Sequence, residues 1–311
     1  MILCNNPTFR QQIINLLYKN LFDMSRSNGC LEEWYDLMTL LFDCDNKVWE
    51  YVKNNPKYGT INVNLKKKDA LFECDKDLFS SSSKSSILPL FQYPNFGHDV
   101  PVWLEEDNND SEDVIKIMIV SQDPLRDRGD KGKILFSSPF GVHCRDYRTQ
   151  PRECLMKIIG GVWKTAKANN KKVIFYLTDF NKFFLININS SIKTLKINHQ
   201  IIVNSFKPTL VEEVRLFAPE LIVTLGNIAS GALLGKTGYE RSSNINKTNG
   251  DFFDPASTLK FGNSEVLICA HPTGGAGTQP IINRAKKSGE KDEDVYIRII
   301  IEKLRHMNLI P

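Results

Sequence analysis

Three polar signatures in this chain each stand directly behind an apolar run. Ser121-Gln122-Asp123-Pro124 follows Val114-Ile115-Lys116-Ile117-Met118-Ile119-Val120, and Thr178-Asp179 follows Val173-Ile174-Phe175-Tyr176-Leu177. His271-Pro272-Thr273 follows Val266-Leu267-Ile268-Cys269-Ala270. A carboxylate such as Asp123 can stabilise a developing cation or activate water, and a histidine such as His271 can donate a hydrogen bond to a group gathering negative charge. Taken singly, each has a plainer reading: Asp-Pro as a helix-initiating turn, Asp179 as a cap, His-Pro as a structural turn. Together they read differently, because apolar runs of this kind predict buried parallel strands. Open α/β sheets hold their ligands at the carboxyl ends of such strands. Parallel strands would therefore bring Asp123, Asp179 and His271 to one sheet edge, where they would form an active site.

The elements that must position these residues follow from the alternation of patterns. Strands are predicted at 114–120, 173–177, 221–225 and 265–270, and helices at 152–168, 209–217, 227–234 and 293–307. Pro219 marks the end of one helix and Gly235 closes another. Strands alternating with helices imply an α/β fold, three-layered α/β/α, with a central, mostly parallel four-stranded sheet. The first hundred residues differ. Segments 9–22 and 31–52 have helical apolar spacing, broken at Ser27-Asn28-Gly29-Cys30. A basic run at 66–68 and a serine-rich tract at 80–86 read as solvated surface, and an acidic loop at 105–113 leads into the first strand. The expected organisation is a helical N-terminal extension over 1–100 and a catalytic domain over 101–311.

Composition narrows the class. A chain of 311 residues with 41% hydrophobic content can bury a sizeable core. A formal charge of +4 permits a local nucleic-acid-binding patch without arguing for one. Seven scattered cysteines form no CxxC pair, so neither a zinc ribbon nor an iron–sulfur cluster is expected. With no signal-peptide pattern and no apolar run near the ~20 residues that span a bilayer, the expectation is a soluble, cytoplasmic protein.

Four motifs in order resemble the uracil-DNA glycosylase superfamily. Ser121-Gln122-Asp123-Pro124, followed by Leu135-Phe136-Ser137-Ser138, is similar to its GQDPYH…FSV segment. Tyr176-Leu177-Thr178-Asp179 sits where that family ends a strand in a base-reading Asn. Ala218-Pro219-Glu220-Leu221-Ile222-Val223-Thr224-Leu225-Gly226 is similar to its "RPRVIVALG" strand, and His271-Pro272-Thr273 to its HPS loop. The resemblance covers roughly residues 114–275; the first hundred residues carry no matching motif. It implies an enzyme that flips a base out of DNA and breaks its N-glycosidic bond, with no metal and no cofactor. Positive charge then develops on the sugar and negative charge on the departing base. The resemblance assigns Asp123 to the sugar or the attacking water and His271 to the base oxygen, which a neutral imidazole can still reach with one N–H. Phe136, otherwise a core residue, would stack on the base. Gln122, Leu125 and Asp179 would line its pocket, and Ser121, Ser137, Ser138 and Thr273 would grip phosphates.

Two departures point away from uracil. Asp179 replaces the family's Asn; an ionised Asp only accepts, so it opposes uracil O4 but suits the N4 amino group of cytosine. Leu125-Arg126 replaces Tyr-His, where the family's Tyr crowds C5 of the base. The smaller Leu125 leaves room for a C5 substituent, which Arg126 and Arg128 could bond unless they are only exposed loop charges. The expected substrate is a C5-modified cytosine, hydroxymethylated or glucosylated, of the kind certain bacteriophages carry throughout their genomes. That suggests antiviral defence. After His271-Pro272-Thr273 comes Gly274-Gly275-Ala276-Gly277, with no bulky wedge, so another loop supplies one or flipping relies on pinching the backbone. A monofunctional enzyme is expected, since no lysine falls at a motif position other than Lys182. The partner is double- or single-stranded DNA and the chain is expected to be a monomer. The alternatives are a conventional uracil-DNA glycosylase of base-excision repair and a non-catalytic module that binds modified DNA.

Overall fold

A computed structural model describes residues 2–3, 7–21, 96–99, 101–106, 111–122, 136–137, 139–141, 149–185, 199–235, 252–272 and 278–311. In chain order the strands are β1 (Ile2–Leu3), β2 (Phe96–Asp99), β3 (Val102–Glu105), β4 (Val114–Ser121), β5 (Phe136–Ser137), β6 (Lys172–Asp179), β7 (Phe183–Leu185), β8 (Leu221–Leu225), β9 (Lys260–Phe261) and β10 (Ser264–Cys269). The helices are α1 (Pro7–Leu21), α2 (Thr149–Ala168), α3 (His199–Phe217), α4 (Asn227–Leu234), α5 (Gln279–Ala285) and α6 (Asp292–His306).

Seven of these strands form one sheet in the order β1-β3-β6-β4-β8-β10-β9. The expected four strands are its middle. β6, β4, β8 and β10 run parallel, while β3 joins β6 and β9 joins β10 in antiparallel fashion. The sheet is thus wider than four strands. Its extra members, β1, β3 and β9, flank that middle and have two to four residues each, too short to show a period of two. The inner strands are apolar on both faces, as a covered parallel sheet requires. On β6, neighbouring residues point to opposite faces. Tyr176 meets Phe9 of α1 and Phe217 of α3, whereas Phe175 meets Trp163 of α2. Helices therefore cover both faces.

Parts of the first hundred residues are built into this body. Ile2 pairs with Glu105, Phe9, Ile13 and Ile14 are buried, and β2 forms a second sheet of order β5-β2-β7. The segments at 31–52, 66–68 and 80–86 lie outside the described residues. α3 starts at His199, ahead of the 209 expected, and carries Pro208 inside it.

The chain passes from β4 to β6 on one side and then to β8 on the other. The order therefore reverses between β4 and β8, and such a reversal, at the carboxyl ends of the strands, is where open α/β sheets hold their ligands.

Candidate active site

β4 and β6 end level with each other: Val120 pairs with Thr178 and Ser121 with Asp179. The pairing continues past the strand ends, where the Phe180 N–H donates to the Ser121 carbonyl and the Asn181 N–H to the Gln122 carbonyl, both at 2.9 Å. Ser121 and Asp179 are buried, and the Ser121 hydroxyl donates to Asp179 Oδ1. Ser121, expected at a phosphate, is thus engaged in holding the carboxylate. Gln122 is half-buried beside it.

His271 follows β10 on the other side of the switch point and is half-buried. Its ring stacks on Phe140, with centroids 5.1 Å apart and planes 13° from parallel. Phe140 belongs to a short turn, Pro139–Gly141, and has a left-handed backbone at φ 58. A bulky residue rarely adopts that conformation without surroundings that enforce it. The base of the loop is fixed by Tyr296 of α6, whose hydroxyl donates to the Ala270 carbonyl at 2.9 Å. Gly226 ends β8 at φ +92, a region that disfavours side chains, and donates to the Cys269 carbonyl at 2.8 Å. From β6 to β10 there are three strand spacings of ~4.8 Å, so Asp179 and His271 stand roughly 14 Å apart across the sheet edge. They cannot touch.

Behind Asp179 lies a charged group that no local pattern announced. Asp99 of β2, Lys182 and Glu213 of α3 are all fully buried. Asp99 Oδ2 accepts from the Asp179 N–H at 3.1 Å, Thr178 Oγ1 at 3.2 Å and Lys182 Nζ at 3.2 Å. Lys182 Nζ also reaches Glu213 at 2.8 Å and bonds Thr178 Oγ1, while the Tyr176 hydroxyl donates to Glu213 at 2.9 Å. Burial pushes the Asp99 carboxyl up to about 6, with Lys182 opposing and Glu213 reinforcing the rise. Burial alone would lower the Lys182 pKa, but Glu213 and Asp99 outweigh it and hold the ammonium above the ordinary lysine value. A charged, hydrogen-bonded ammonium with no exposure is a poor nucleophile.

The model of the Uracil DNA glycosylase superfamily matches residues 110–284, more than half of the 311-residue chain. The chain belongs to the uracil DNA glycosylase superfamily. Membership implies DNA glycosylase activity and DNA as the macromolecular partner. No curated protein matches the chain.

The structure places the family's motif ends as the strand pattern required, with Ser121, Gln122, Asp179 and His271 on one edge. β5 carries Phe136 and Ser137 beside β2, pairing His98 with Phe136 and Asp99 with Ser137. Asp123, Leu125, Arg126, Arg128, Ser138 and Thr273 lie outside the described residues. Among the described residues no cluster of three or more His, Cys, Asp or Glu is placed to hold a metal, and no helix is long and apolar enough to cross a membrane. Phe140 was missed by motif reading; the Pro139-Phe140-Gly141 turn signal four residues after Phe136 was its one sequence cue.

Proposed function

We propose that this superfamily member hydrolyses the N-glycosidic bond of a flipped, C5-modified cytosine, hydroxymethylated or glucosylated, and leaves an abasic site. The observation that carries the reading is the Asp179 carboxylate, buried at the end of β6 and accepting the Ser121 hydroxyl. A carboxylate offers only acceptors, so the complementary base edge is one that donates, as the N4 amino group of cytosine does. Burial raises the discrimination. A uracil O4 brought against a buried carboxylate would set two acceptors face to face with no proton between them, which costs about 1–3 kcal/mol, or roughly 5- to 150-fold.

In this mechanism Asp123 stands beneath the sugar, where its carboxylate stabilises the cation or takes a proton from water. His271, levelled against Phe140, donates to the base O2 as the bond breaks. Phe136 stacks on the base. Ser137, Ser138 and Thr273 contact phosphates, and Leu125, Arg126 and Arg128 make room for the adduct and bond it. Base loss goes to water and not to an enzyme amine, since Lys182 is committed to Asp99, Thr178 and Glu213. Glucosylated hydroxymethylcytosine marks certain phage genomes, so the activity serves antiviral defence.

The test is base release from DNA holding glucosylated hydroxymethylcytosine, hydroxymethylcytosine, uracil or unmodified cytosine, for the wild type and Asp123→Asn. The expected result is release from modified DNA alone, abolished in Asp123→Asn with DNA binding kept. Release from uracil DNA alone would establish a repair enzyme and overturn the reading of Asp179. Binding without release from any substrate would make the chain a recognition module.

A further inference from the structure

We propose that Asp99, on a strand ahead of the region that matches the superfamily, is a positioning residue that locks the base-reading edge and the Phe136 strand into one rigid unit. The inference rests on the reading that Asp179 meets the base.

Asp99 brackets the segment that presents Asp179. Its carboxylate accepts the Asp179 N–H at 3.1 Å, and its own N–H donates to the Lys182 carbonyl at 2.8 Å. The turn from Thr178 to Lys182 is thus pinned at both ends by one residue. The same residue lies in register with Ser137, and its neighbour His98 with Phe136. β7, just after Lys182, pairs with the other side of β2, aligning Phe96 with Leu185 and His98 with Phe183. The turn bearing Asp179 and the strand bearing Phe136 meet through β2, and β2 is held to the main body by a buried charge.

The electrostatics argue for orientation over plain cohesion. Asp99, Lys182 and Glu213 are all taken out of water, and apolar residues of similar volume commonly match or exceed the stability of such a group. What apolar residues lack is direction. Charged hydrogen bonds fix distance and angle, which a pocket that must hold a base to a fraction of an ångström requires. The Asp99 carboxylate points this direction at the main chain of Asp179, one residue from Thr178, which joins the group through its hydroxyl.

The experiment compares Asp99→Ala and Asp99→Asn with Lys303→Met. Lys303 is a buried lysine paired with Glu265 near the start of β10, roughly 20 Å from His271 at ~3.3 Å per residue. Lys303→Met reports what loss of stability alone does to activity. Asp99→Ala is expected to lower kcat on modified DNA about 100-fold, as a misplacement near 1 Å does, with KM changed less than threefold. Its preference for modified cytosine over uracil should fall about tenfold. Asp99→Asn keeps an acceptor for the Asp179 N–H and should recover at least tenfold of the lost rate. Lys303→Met should keep both rate and preference. Hydrogen–deuterium exchange is read in parallel. Asp99→Ala should speed exchange across 172–185 and 136–141, while Lys303→Met should not. Wild-type kcat and preference in Asp99→Ala, or a loss no larger than in Lys303→Met, would overturn the proposal. If the wild type releases no base from any DNA, the functional reading fails by itself. Exchange then decides the positioning role: unchanged protection at both segments would refute it.

Discussion

Replacing Lys182 with Met removes the ammonium between Asp99 and Glu213 and leaves two carboxylates in a space closed to water. Lys182 Nζ lies 3.2 Å from Asp99 and 2.8 Å from Glu213, and none of the three side chains is exposed. Removing one partner of such a group costs about 3–5 kcal/mol, because the remaining charge is neither paired nor solvated. At ~2 °C or somewhat more per kcal/mol for a chain of this size, the melting temperature should fall by about 6–15 °C at pH 8. The defect should also depend on pH, and its sign follows from Asp99. Burial already raises that carboxyl from 3.8 to about 6, against the opposition of Lys182. Without Lys182 it rises further. A carboxyl whose folded pKa is raised stabilises the fold below its unfolded pKa and loses that contribution as pH climbs through the folded value. The variant should therefore be weakest at pH 8 and recover towards pH 5, by about 1.4 kcal/mol for every further pH unit by which the carboxyl is raised. Urea unfolding at pH 5, 6, 7 and 8 measures this, with the denaturant slope checked for constancy. A defect under about 1 kcal/mol at pH 8, or one that deepens in acid, would refute the picture of a dry, mutually dependent charge group.

Asp99→Asn should flatten part of the wild-type pH profile. The rise of the Asp99 carboxyl from 3.8 to about 6 corresponds to ~3 kcal/mol of stability that the wild type loses between about pH 4 and pH 7 and the variant does not, by denaturant titration. The titratable groups that act on Asp99 are Lys182, Glu213 and Tyr176, and they remain in the variant. Asp179→Asn should move base preference towards uracil by ten- to a hundredfold in competition assays, since an amide can donate to O4; an unmoved preference would remove Asp179 from base reading. Phe140→Ala should lower kcat about tenfold while leaving DNA affinity within a few-fold, because the stacked ring that levels His271 is worth about 0.5–1.5 kcal/mol.

The superfamily's edge was legible in the sequence because its signals are local. Runs of consecutive apolar residues at β4, β6, β8 and β10 predict strands buried on both faces, and polar residues immediately after them must fall at the carboxyl ends. α4 was closed to the residue because Gly235, left-handed at φ 67, follows Leu234 directly. These features depend on neighbours a few positions apart, so the order of residues alone determined them. The strands β1, β2, β5, β7 and β9 carry two to four residues each, and pairing partners far along the chain, not any period of their own, make them strands. The partners of Asp99 lie 79 to 83 positions away, so nothing near it distinguishes it from a surface aspartate. Only the closed fold takes Asp99, Lys182 and Glu213 out of water together, and desolvation is what turns three ordinary charges into a group that holds one turn in one place. Ser121 shows the same division. Its position at the strand end was legible in the chain, but the choice of Asp179 over a phosphate for its hydroxyl was made by the register between β4 and β6.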